Sequence, residues 1–191
     1  MEERYPRLEI NLAHLKHNVV KVVEKCGDMG IQVAGVIKGA TGLPEVAKAF
    51  DEGGAAFIAS SRLEQLEDAK NAGIQKPLML IRIPMRSEVE DVIRLTDISL
   101  NSEMVVLEAL DAEAKRQSKV HQVILMADMG DLREGYWDKE EMADVAVYVE
   151  NELTNLKLIG IGTNVGCYGS IAPTPEMLEE LVAIAEHIEK R

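Results

Sequence analysis

The sequence is poor in cysteine and in positive charge, and it has no apolar run long enough to span a bilayer. Its two cysteines, Cys26 and Cys167, are too few and too far apart in sequence for a disulfide framework or a zinc site. The N-terminal residues do not resemble a signal peptide, so we expect a cytoplasmic protein with reduced thiols.

Acidic residues outnumber basic ones, with 33 Asp and Glu against 21 Lys and Arg and a net charge of −12. This balance disfavours nucleic acid and anionic membrane surfaces as partners, because like charges repel. It suits a small cationic or zwitterionic metabolite, although acidity that only keeps a protein soluble is the commoner case. We therefore expect a small-molecule partner, with no nucleic acid and no membrane.

Short apolar runs alternate with amphipathic stretches along the chain, which predicts repeated βα units around a parallel sheet. The predicted first helix covers residues 12–26, after a short extended piece at residues 8–10. Since 47% of the 191 residues are hydrophobic and no linker interrupts them, we expect one domain over residues 1–191. Six apolar runs are predicted strands, at residues 33–37, 55–59, 78–83, 98–100, 120–127 and 156–161.

Three helix starts carry capping signals. Ser61 and Ser87 are each followed three residues later by a glutamate, which predicts a reciprocal capping box at each start. Thr174 and Pro175 predict an N-cap and a first-turn proline for a last helix that continues to the C-terminus.

Two architectures satisfy this pattern, an open doubly wound sheet and a (β/α)8 barrel. The first normally carries a glycine-rich phosphate-binding fingerprint after its first strand, and residues 38–43 match neither the dinucleotide nor the P-loop form. The sequence therefore favours an α/β fold, a parallel (β/α)8 TIM-type barrel. In such a barrel the polar residues at the carboxyl ends of the strands converge on one site. Those residues here are Lys38, Ser60, Arg82, Asn101, Asp128 and Thr163.

Lys38 has the clearest chemistry among these strand-end residues. It closes the apolar run at residues 31–37 and is followed by a small-residue segment at residues 39–42. A buried lysine is driven toward its neutral amine, and a neutral amine attacks carbonyls to form a Schiff base. We interpret Lys38 as an imine-forming lysine; the alternative is a lysine that ends a strand and extends its ammonium into water.

Five segments resemble the pyridoxal-phosphate barrel of the alanine racemase family, and within it the ornithine racemase branch matches best. They keep the order of the family's motifs over almost the whole chain. The resemblance implies that Lys38 holds pyridoxal 5'-phosphate through a Schiff base and serves as one of two acid–base groups in racemisation. The matching segments are residues 36–38, 80–85, 97–103, 128–136 and 160–169.

The resemblance also implies further cofactor-binding residues. Arg133 corresponds to an arginine that hydrogen-bonds near the phenolic oxygen of the cofactor. Asn164 takes the place of a histidine that packs on the pyridine ring, and Arg82 lies at a strand end within a matching segment. The alternatives are a surface ion pair of Arg133 with Asp131 or Glu134, and an Asn164 that ends its strand by bonding its own backbone.

Two positions depart from the alanine racemase pattern. The tyrosine that usually follows the lysine and touches the cofactor phosphate is absent, and Thr41 is the candidate to replace its hydroxyl. The lysine that some members carry in carbamylated form is Met126 here. Both departures leave room for a larger, cationic substrate, so ornithine or another basic amino acid is favoured, with alanine as an alternative.

The chain supplies six of the eight βα units that a barrel needs. In the family, the last two units and a β-rich C-terminal domain complete the phosphate site and donate the second acid–base residue across a dimer interface. We therefore expect residues 1–191 to be an incomplete barrel domain, and the full-length protein to be a homodimer. Cys167 and Tyr168 are candidates for the substrate pocket, with inert packing as the commoner role for such a cysteine.

Three functions stay open on the sequence alone. The first is a racemase of a free amino acid that depends on pyridoxal phosphate. The second is a non-catalytic pyridoxal-phosphate-binding protein of the same barrel family, and the third is a lyase that uses the Lys38 Schiff base without a cofactor. No metal site is predicted, because His14 and His17 lack a third ligand at a suitable spacing.

Overall fold

The structure, a computed structural model, describes residues 7–165 and 171–191. In this part of the chain six β-strands alternate with seven α-helices. The strands are β1 (Ala34–Val36), β2 (Phe57–Ser60), β3 (Leu78–Leu80), β4 (Ile98–Asn101), β5 (His121–Met126) and β6 (Leu156–Gly162). The helices are α1 (Leu12–Gly27), α2 (Pro44–Glu52), α3 (Leu63–Asn71), α4 (Val89–Leu95), α5 (Met104–Arg116), α6 (Lys139–Glu152) and α7 (Pro175–Glu189).

The chain divides into two compact units, Met1–Leu78 and Met79–Arg191. In the first unit β1 and β2 run parallel, and α1, α2 and α3 alternate with them. The core of this unit is apolar, with Ile37, Ile58 and Leu66 fully buried. Each such side chain contributes about 1.5–3 kcal/mol through burial.

In the second unit β3, β4, β5 and β6 pair in chain order, and every pair is parallel. The register of β5 against β6 shifts between Val123 and Ile124. Leu107 and Leu110 of α5 and Leu125 of β5 are fully buried, so this helix packs its apolar stripe on the sheet. Parallel strands place their carboxyl ends at one edge of the sheet, which brings their polar residues to the same side.

The structure confirms the six strands and the parallel pairing predicted from the sequence. The third predicted run shows why the observed strand is shorter. The run spans residues 78–83, whereas the observed strand ends at Leu80, the last residue that pairs with β4. Residues 8–10 are described and form no strand. The alternation of parallel strands and helices is that of a (β/α) barrel, of which six units are present.

Both predicted capping boxes are wrong. The N-cap of α3 is Arg62, and its N–H donates to Ser60 Oγ at 3.2 Å. Before α4 the chain makes a 3₁₀ turn, so Glu88 rather than Glu90 accepts a backbone N–H, that of Met85, at 3.2 Å. Helix α3 begins one residue later than Ser61 predicts, and the 3₁₀ turn before α4 begins before Ser87. At each start a polar atom other than the predicted one therefore accepts from a free backbone N–H.

Two other helix predictions are confirmed. The first helix runs from Leu12 to Gly27, one residue beyond the predicted end. The last helix starts as expected, with the Thr174 hydroxyl accepting from the Met177 N–H at 3.3 Å and Pro175 in the first turn. None of the described helices is both long enough and apolar enough to cross a bilayer.

Candidate functional site

The loop after β1, residues 38–42, is called the lysine turn below. Lys38 begins a 3₁₀ turn in which the Ala40 N–H donates to Ile37 O at 3.1 Å and the Thr41 N–H donates to Lys38 O at 3.2 Å. The predicted position of Lys38 after the first strand is confirmed, although β1 ends at Val36 and Ile37 lies between the strand and Lys38. Its predicted burial is wrong, since Lys38 is exposed. The small residues that follow it carry too little side chain to cover the amine.

The end of the lysine turn is held by backbone conformation and close packing. Thr41 has a φ of 52° and Gly42 a φ of 78°, both in the left-handed region. A Cβ on Gly42 would lie 2.5 Å from Gln65 Cγ, and Gln65 Oε1 accepts from Ser60 Oγ at 2.6 Å. Gln65 of α3 thus supports the turn, a contact that the sequence analysis missed. Whether the Thr41 hydroxyl binds a cofactor stays a prediction.

Arg82 lies two residues after β3 and pairs with a carboxylate of its own loop. Its two terminal nitrogens donate to the two oxygens of Glu88, each at 2.8 Å, which makes a bidentate ion pair. The hydrogen bonds from Arg82 lower the pKa of the Glu88 carboxyl. This pair braces the connection between β3 and α4, and the cofactor-binding role of Arg82 stays a prediction.

The loop between β5 and α6, residues 127–138, is called the arginine loop because it carries Arg133. Asp128, which is buried, accepts at Oδ1 from the N–H of Gly130 at 2.8 Å and of Leu132 at 3.1 Å. A carboxylate that accepts two backbone N–H groups of its own loop selects one conformation of that loop. The Asp128 carboxylate therefore fixes the backbone up to Leu132, the residue before Arg133.

Lys139, the first residue of α6, joins the two ends of the arginine loop. Its Nζ donates to the carbonyl oxygens of Asp128 at 2.5 Å and Tyr136 at 2.8 Å. Burial lowers the pKa of the Lys139 ammonium, and the Trp137 ring centroid lies 5.8 Å from it. The sequence analysis missed Lys139, because a lysine at a helix start gives no local signal that it turns back toward loop carbonyls.

One carboxylate brings Arg133 and Asn164 together. Glu134 Oε1 accepts from Arg133 Nη2 at 2.6 Å and from Asn164 Nδ2 at 2.8 Å. The alternative interpretation of Arg133, an ion pair with Glu134, is therefore observed, but the two side chains are only 34% and 13% exposed. The Asn164 side-chain amide bonds across to the arginine loop. Glu134 is a residue that sequence reasoning treated only as a surface partner.

A buried polar relay joins β4 to β5 in the same unit. Asn101 Nδ2 donates to the carbonyl and the hydroxyl oxygen of Ser99 at 3.0 Å each. The Ser99 hydroxyl oxygen in turn lies within hydrogen-bond distance of His121 Nε2, at 2.9 Å. Burial lowers the pKa of His121 to about 4, so the imidazole is neutral near pH 7. Sequence reasoning found no role for His121, because its partner lies on another strand.

Three further residues named from the sequence add little to the described geometry. Cys167 and Tyr168, the candidates for a substrate pocket, lie outside the described residues. Met126, at the place of the carbamylated lysine of some family members, is the buried last residue of β5. A thioether carries no charge, so Met126 offers no substitute for a carbamate.

Comparison with proteins of known function finds relatives over nearly the whole chain. The ornithine racemase of Acetoanaerobium sticklandii is 38% identical over 184 residues, which cover 96% of this chain and 51% of that protein. The lysine racemase of Thermotoga maritima is 37% identical over 186 residues, which cover 97% of this chain and 51% of that protein. The chain spans about half the length of each of these relatives.

A solved structure shows the same fold. The alanine racemase from a D-cycloserine-producing Streptomyces lavendulae matches with a TM-score of 0.80 and 22% identity, covering 95% of this chain and 48% of that one. The family model described as "Alanine racemase, N-terminal domain" matches residues 10–191. The chain therefore belongs to the alanine racemase family and matches its N-terminal domain.

Proposed function

We propose that this chain is part of a pyridoxal-phosphate-dependent racemase of a free amino acid, with ornithine or lysine favoured as substrate. The observation that carries the proposal is the identity of 38% and 37% to an ornithine and a lysine racemase over almost the whole chain. The acidic net charge of −12 supports a cationic substrate over an anionic one. We also propose that the full-length protein acts in the cytoplasm as a homodimer.

The residues that we propose to hold the cofactor suit its chemistry. Lys38 offers an exposed primary amine for a covalent bond to the cofactor aldehyde. Arg133 and Asn164 offer N–H donors for its ring substituents, and we propose phosphate or ring contacts for Thr41 and Arg82. Besides these donors, the buried Thr163 hydroxyl, next to Asn164, has no hydrogen-bond partner among the described residues. A buried hydroxyl in this state is suited to a polar ligand group.

Pyridoxal phosphate, when bound, supplies an electron sink that lowers the barrier to removal of a substrate α-proton. Lys38 Nζ would serve one face of the α-carbon: it would remove the α-proton of one enantiomer as a general base and, in the reverse direction, deliver a proton to that face as a general acid. Arg133 would hold the cofactor ring in position through charge-assisted hydrogen bonds. Its guanidinium stays protonated throughout, because this group is not deprotonated in proteins. We assign no residue to the opposite face.

Proton exchange in deuterated water tests the proposed function. The full-length protein, loaded with pyridoxal phosphate, should exchange the α-proton of ornithine or lysine and remove their optical rotation together. Lys38→Ala should reduce both rates to background, while Lys48→Ala, on the exposed face of α2, should leave them unchanged.

Two outcomes would contradict it. Cofactor bound without exchange of ornithine, lysine or alanine would favour the non-catalytic cofactor-binding protein. Exchange that persists without added or bound cofactor would favour the third function, an enzyme that uses the Lys38 Schiff base without a cofactor. Full turnover by the Lys38→Ala variant would remove Lys38 from the mechanism while leaving the activity in place.

A further inference from the structure

The side chain of Glu134 links two segments of the proposed site. Its Oε1 accepts from two side chains that lie on different segments, Arg133 at 2.6 Å and Asn164 at 2.8 Å. Asn164 is 30 residues away in sequence, so the contact ties the end of β6 to the arginine loop. With 13% of the Glu134 side chain exposed, solvent competes weakly for this oxygen.

A shared acceptor restricts both of its donors. Arginine carries about 2 kcal/mol of side-chain rotamer entropy, which a free side chain would lose on binding a ligand. A short bond to a carboxylate orders Arg133 before any ligand arrives, and it orders the amide of Asn164 through the same oxygen. Ordering a binding residue in advance lowers the free-energy cost of binding.

Glu134 itself lies on a part of the arginine loop with little freedom. Tyr136 N–H donates to Met126 O at 2.8 Å, and the Asp128 N–H donates to Tyr136 O at 3.0 Å, so the loop closes two residues after Glu134. Gly135 approaches the chain so closely that a Cβ there would lie 2.5 Å from the Asp128 nitrogen. The carboxylate is therefore anchored, and the flexible arginine adjusts to it.

We propose that Glu134 is the positioning residue of this site: it holds the guanidinium of Arg133 and the amide of Asn164 in the orientation that contacts the cofactor. The inference rests on the proposed function, since it assigns a use to two residues of that site. Glu134 acts through Arg133 and Asn164 and is not itself a catalytic residue.

The chain contains a matched control for this arrangement. Glu113 Oε1, on α5, accepts from Arg116 Nη2 at 2.7 Å and from Gln117 Nε2 at 2.6 Å, and its side chain is 12% exposed. Glu113 resembles Glu134 in its low exposure and in accepting at one oxygen from an arginine and an amide. Its arginine is 59% exposed and also donates to Glu90 at 2.9 Å, and the cluster lies in the last turn of a helix and not at the carboxyl end of a strand. Substitutions at Glu113 therefore report the general effect of breaking such a cluster.

The first experiment measures the dissociation constant of pyridoxal phosphate for the full-length protein. Glu134→Ala should weaken binding by about tenfold, as loss of a residue that orients a binding group commonly does. Glu134→Gln keeps an acceptor oxygen without the charge, and it should lie between the wild type and Glu134→Ala. In the Arg133→Ala background, Glu134→Ala should lose most of its effect, because what remains passes through Asn164 alone.

The second experiment uses the protein without cofactor. In nitrogen-15 NMR spectra the Arg133 side-chain N–H signals should be sharp in the wild type and broaden or exchange faster in Glu134→Gln. The Arg116 signals should respond less to Glu113→Gln, because Glu90 also accepts from Arg116 at 2.9 Å. The cofactor affinity of that variant should stay within about twofold of the wild type. A circular dichroism melt of every variant separates these effects from unfolding.

The outcomes distinguish this inference from the proposed function. Wild-type protein that binds no pyridoxal phosphate overturns the proposed function and this use of Glu134 with it. Normal wild-type binding with an unchanged Glu134→Ala affinity overturns the inference alone, as do effects of Glu134→Ala and Arg133→Ala that simply add. If Glu134→Ala unfolds, Glu134→Gln decides, and unchanged Arg133 signals together with unchanged affinity in that variant contradict the inference.

Discussion

The lysine turn and the arginine loop both follow a strand and both carry a proposed cofactor residue, yet they are shaped by different forces. In the lysine turn, backbone hydrogen bonds and left-handed residues set the conformation, and Lys38 is exposed. In the arginine loop, the side chains of Asp128 and Lys139 bind backbone groups of the loop itself. The shape of the lysine turn therefore depends on its backbone, and that of the arginine loop depends on two charged side chains that bind its backbone.

The same difference extends to the two units. Among the described residues, the buried polar side chain of the first unit is Ser60, whereas the second unit buries Thr96, Ser99, Asn101, His121, Asp128 and Asp131. Buried polar groups cost free energy when they lose a partner or change charge. The first unit should therefore respond mainly to changes in shape, and the second also to pH and to the loss of single polar side chains.

The largest effect should come from adding a methyl group to the arginine loop. Gly135→Ala places a Cβ 2.5 Å from the Asp128 nitrogen and 2.6 Å from the Ala127 carbonyl carbon, at a φ of 114°. Backbone atoms do not yield as side chains do, so we expect a loss of at least about 3 kcal/mol in the free energy of unfolding. Urea denaturation followed by circular dichroism measures this loss.

The matched change in the lysine turn should cost less. In Gly42→Ala the new Cβ would lie 2.5 Å from Gln65 Cγ and 2.6 Å from Gln65 Cβ, so α3 must shift along with the glutamine side chain. A loss of about 2 kcal/mol is expected from the positive φ and this shift, less than for Gly135→Ala, where the clashing atoms are all backbone atoms. Gln65→Ala combined with Gly42→Ala should recover part of it. Equal costs for Gly135→Ala and Gly42→Ala would contradict the contrast between the two loops.

The strands and the position of Lys38 could be predicted from the sequence because their signals are local. Apolar runs, small residues and turn residues lie within a few positions of the elements that they define. Glu134 and Lys139 could not be predicted in this way. The Glu134 contact with Asn164 exists only once β6 lies beside β5. The Lys139 contacts exist only once the arginine loop has folded back on the start of α6.

The errors at helix starts have a similar cause. Ser61 and Glu64 have the spacing of a capping box, but the backbone of β2 continues to Ser60 and the helix begins after Arg62. The serine that contributes a cap-like contact is therefore the preceding one. The exposure of Lys38 was also unpredictable, because it depends on which residues cover the strand end and not on the run that precedes it.

Acid should destabilise the protein through His121. Burial lowers the pKa of this imidazole to about 4 in the folded protein, while an unfolded histidine has a pKa of about 6.5. The unfolded state binds the proton more tightly, so stability is complete above pH 6.5 and falls as the pH drops toward 4. The total loss from this residue is about 3 kcal/mol, at 1.36 kcal/mol for each unit of pKa difference.

Denaturation curves at several pH values between about 7.5 and 4.5 test this linkage. His121→Gln cannot take up the proton, so the variant should lose stability less steeply with acid than the wild type. His14→Gln, at an exposed position of α1, should follow the wild-type curve. Parallel curves for the wild type and His121→Gln would show that His121 does not control the acid response.

Removal of the Lys139 charge should have a smaller effect on stability. Lys139→Met keeps most of the aliphatic stem but removes the Lys139 donor from the Asp128 carbonyl oxygen, and it leaves the Tyr136 carbonyl oxygen with the Asp128 N–H. We expect a loss of about 1–2 kcal/mol, since bonds from charged donors are worth roughly 1.5–3 kcal/mol and this side chain is partly exposed. Hydrogen exchange should show faster opening of the arginine loop and an unchanged lysine turn. Equal acceleration in both loops would show that they are not independent.

The central claim is that Lys38 carries the cofactor, and chemical trapping tests it most directly. Borohydride reduction of the full-length protein with bound pyridoxal phosphate should leave one pyridoxyl group, located by mass spectrometry of the digested protein. We predict that the group lies on the peptide containing Lys38 and disappears in Lys38→Ala while Lys48→Ala retains it. A pyridoxyl group on another lysine of the wild-type protein, with Lys38 unmodified, would contradict the account.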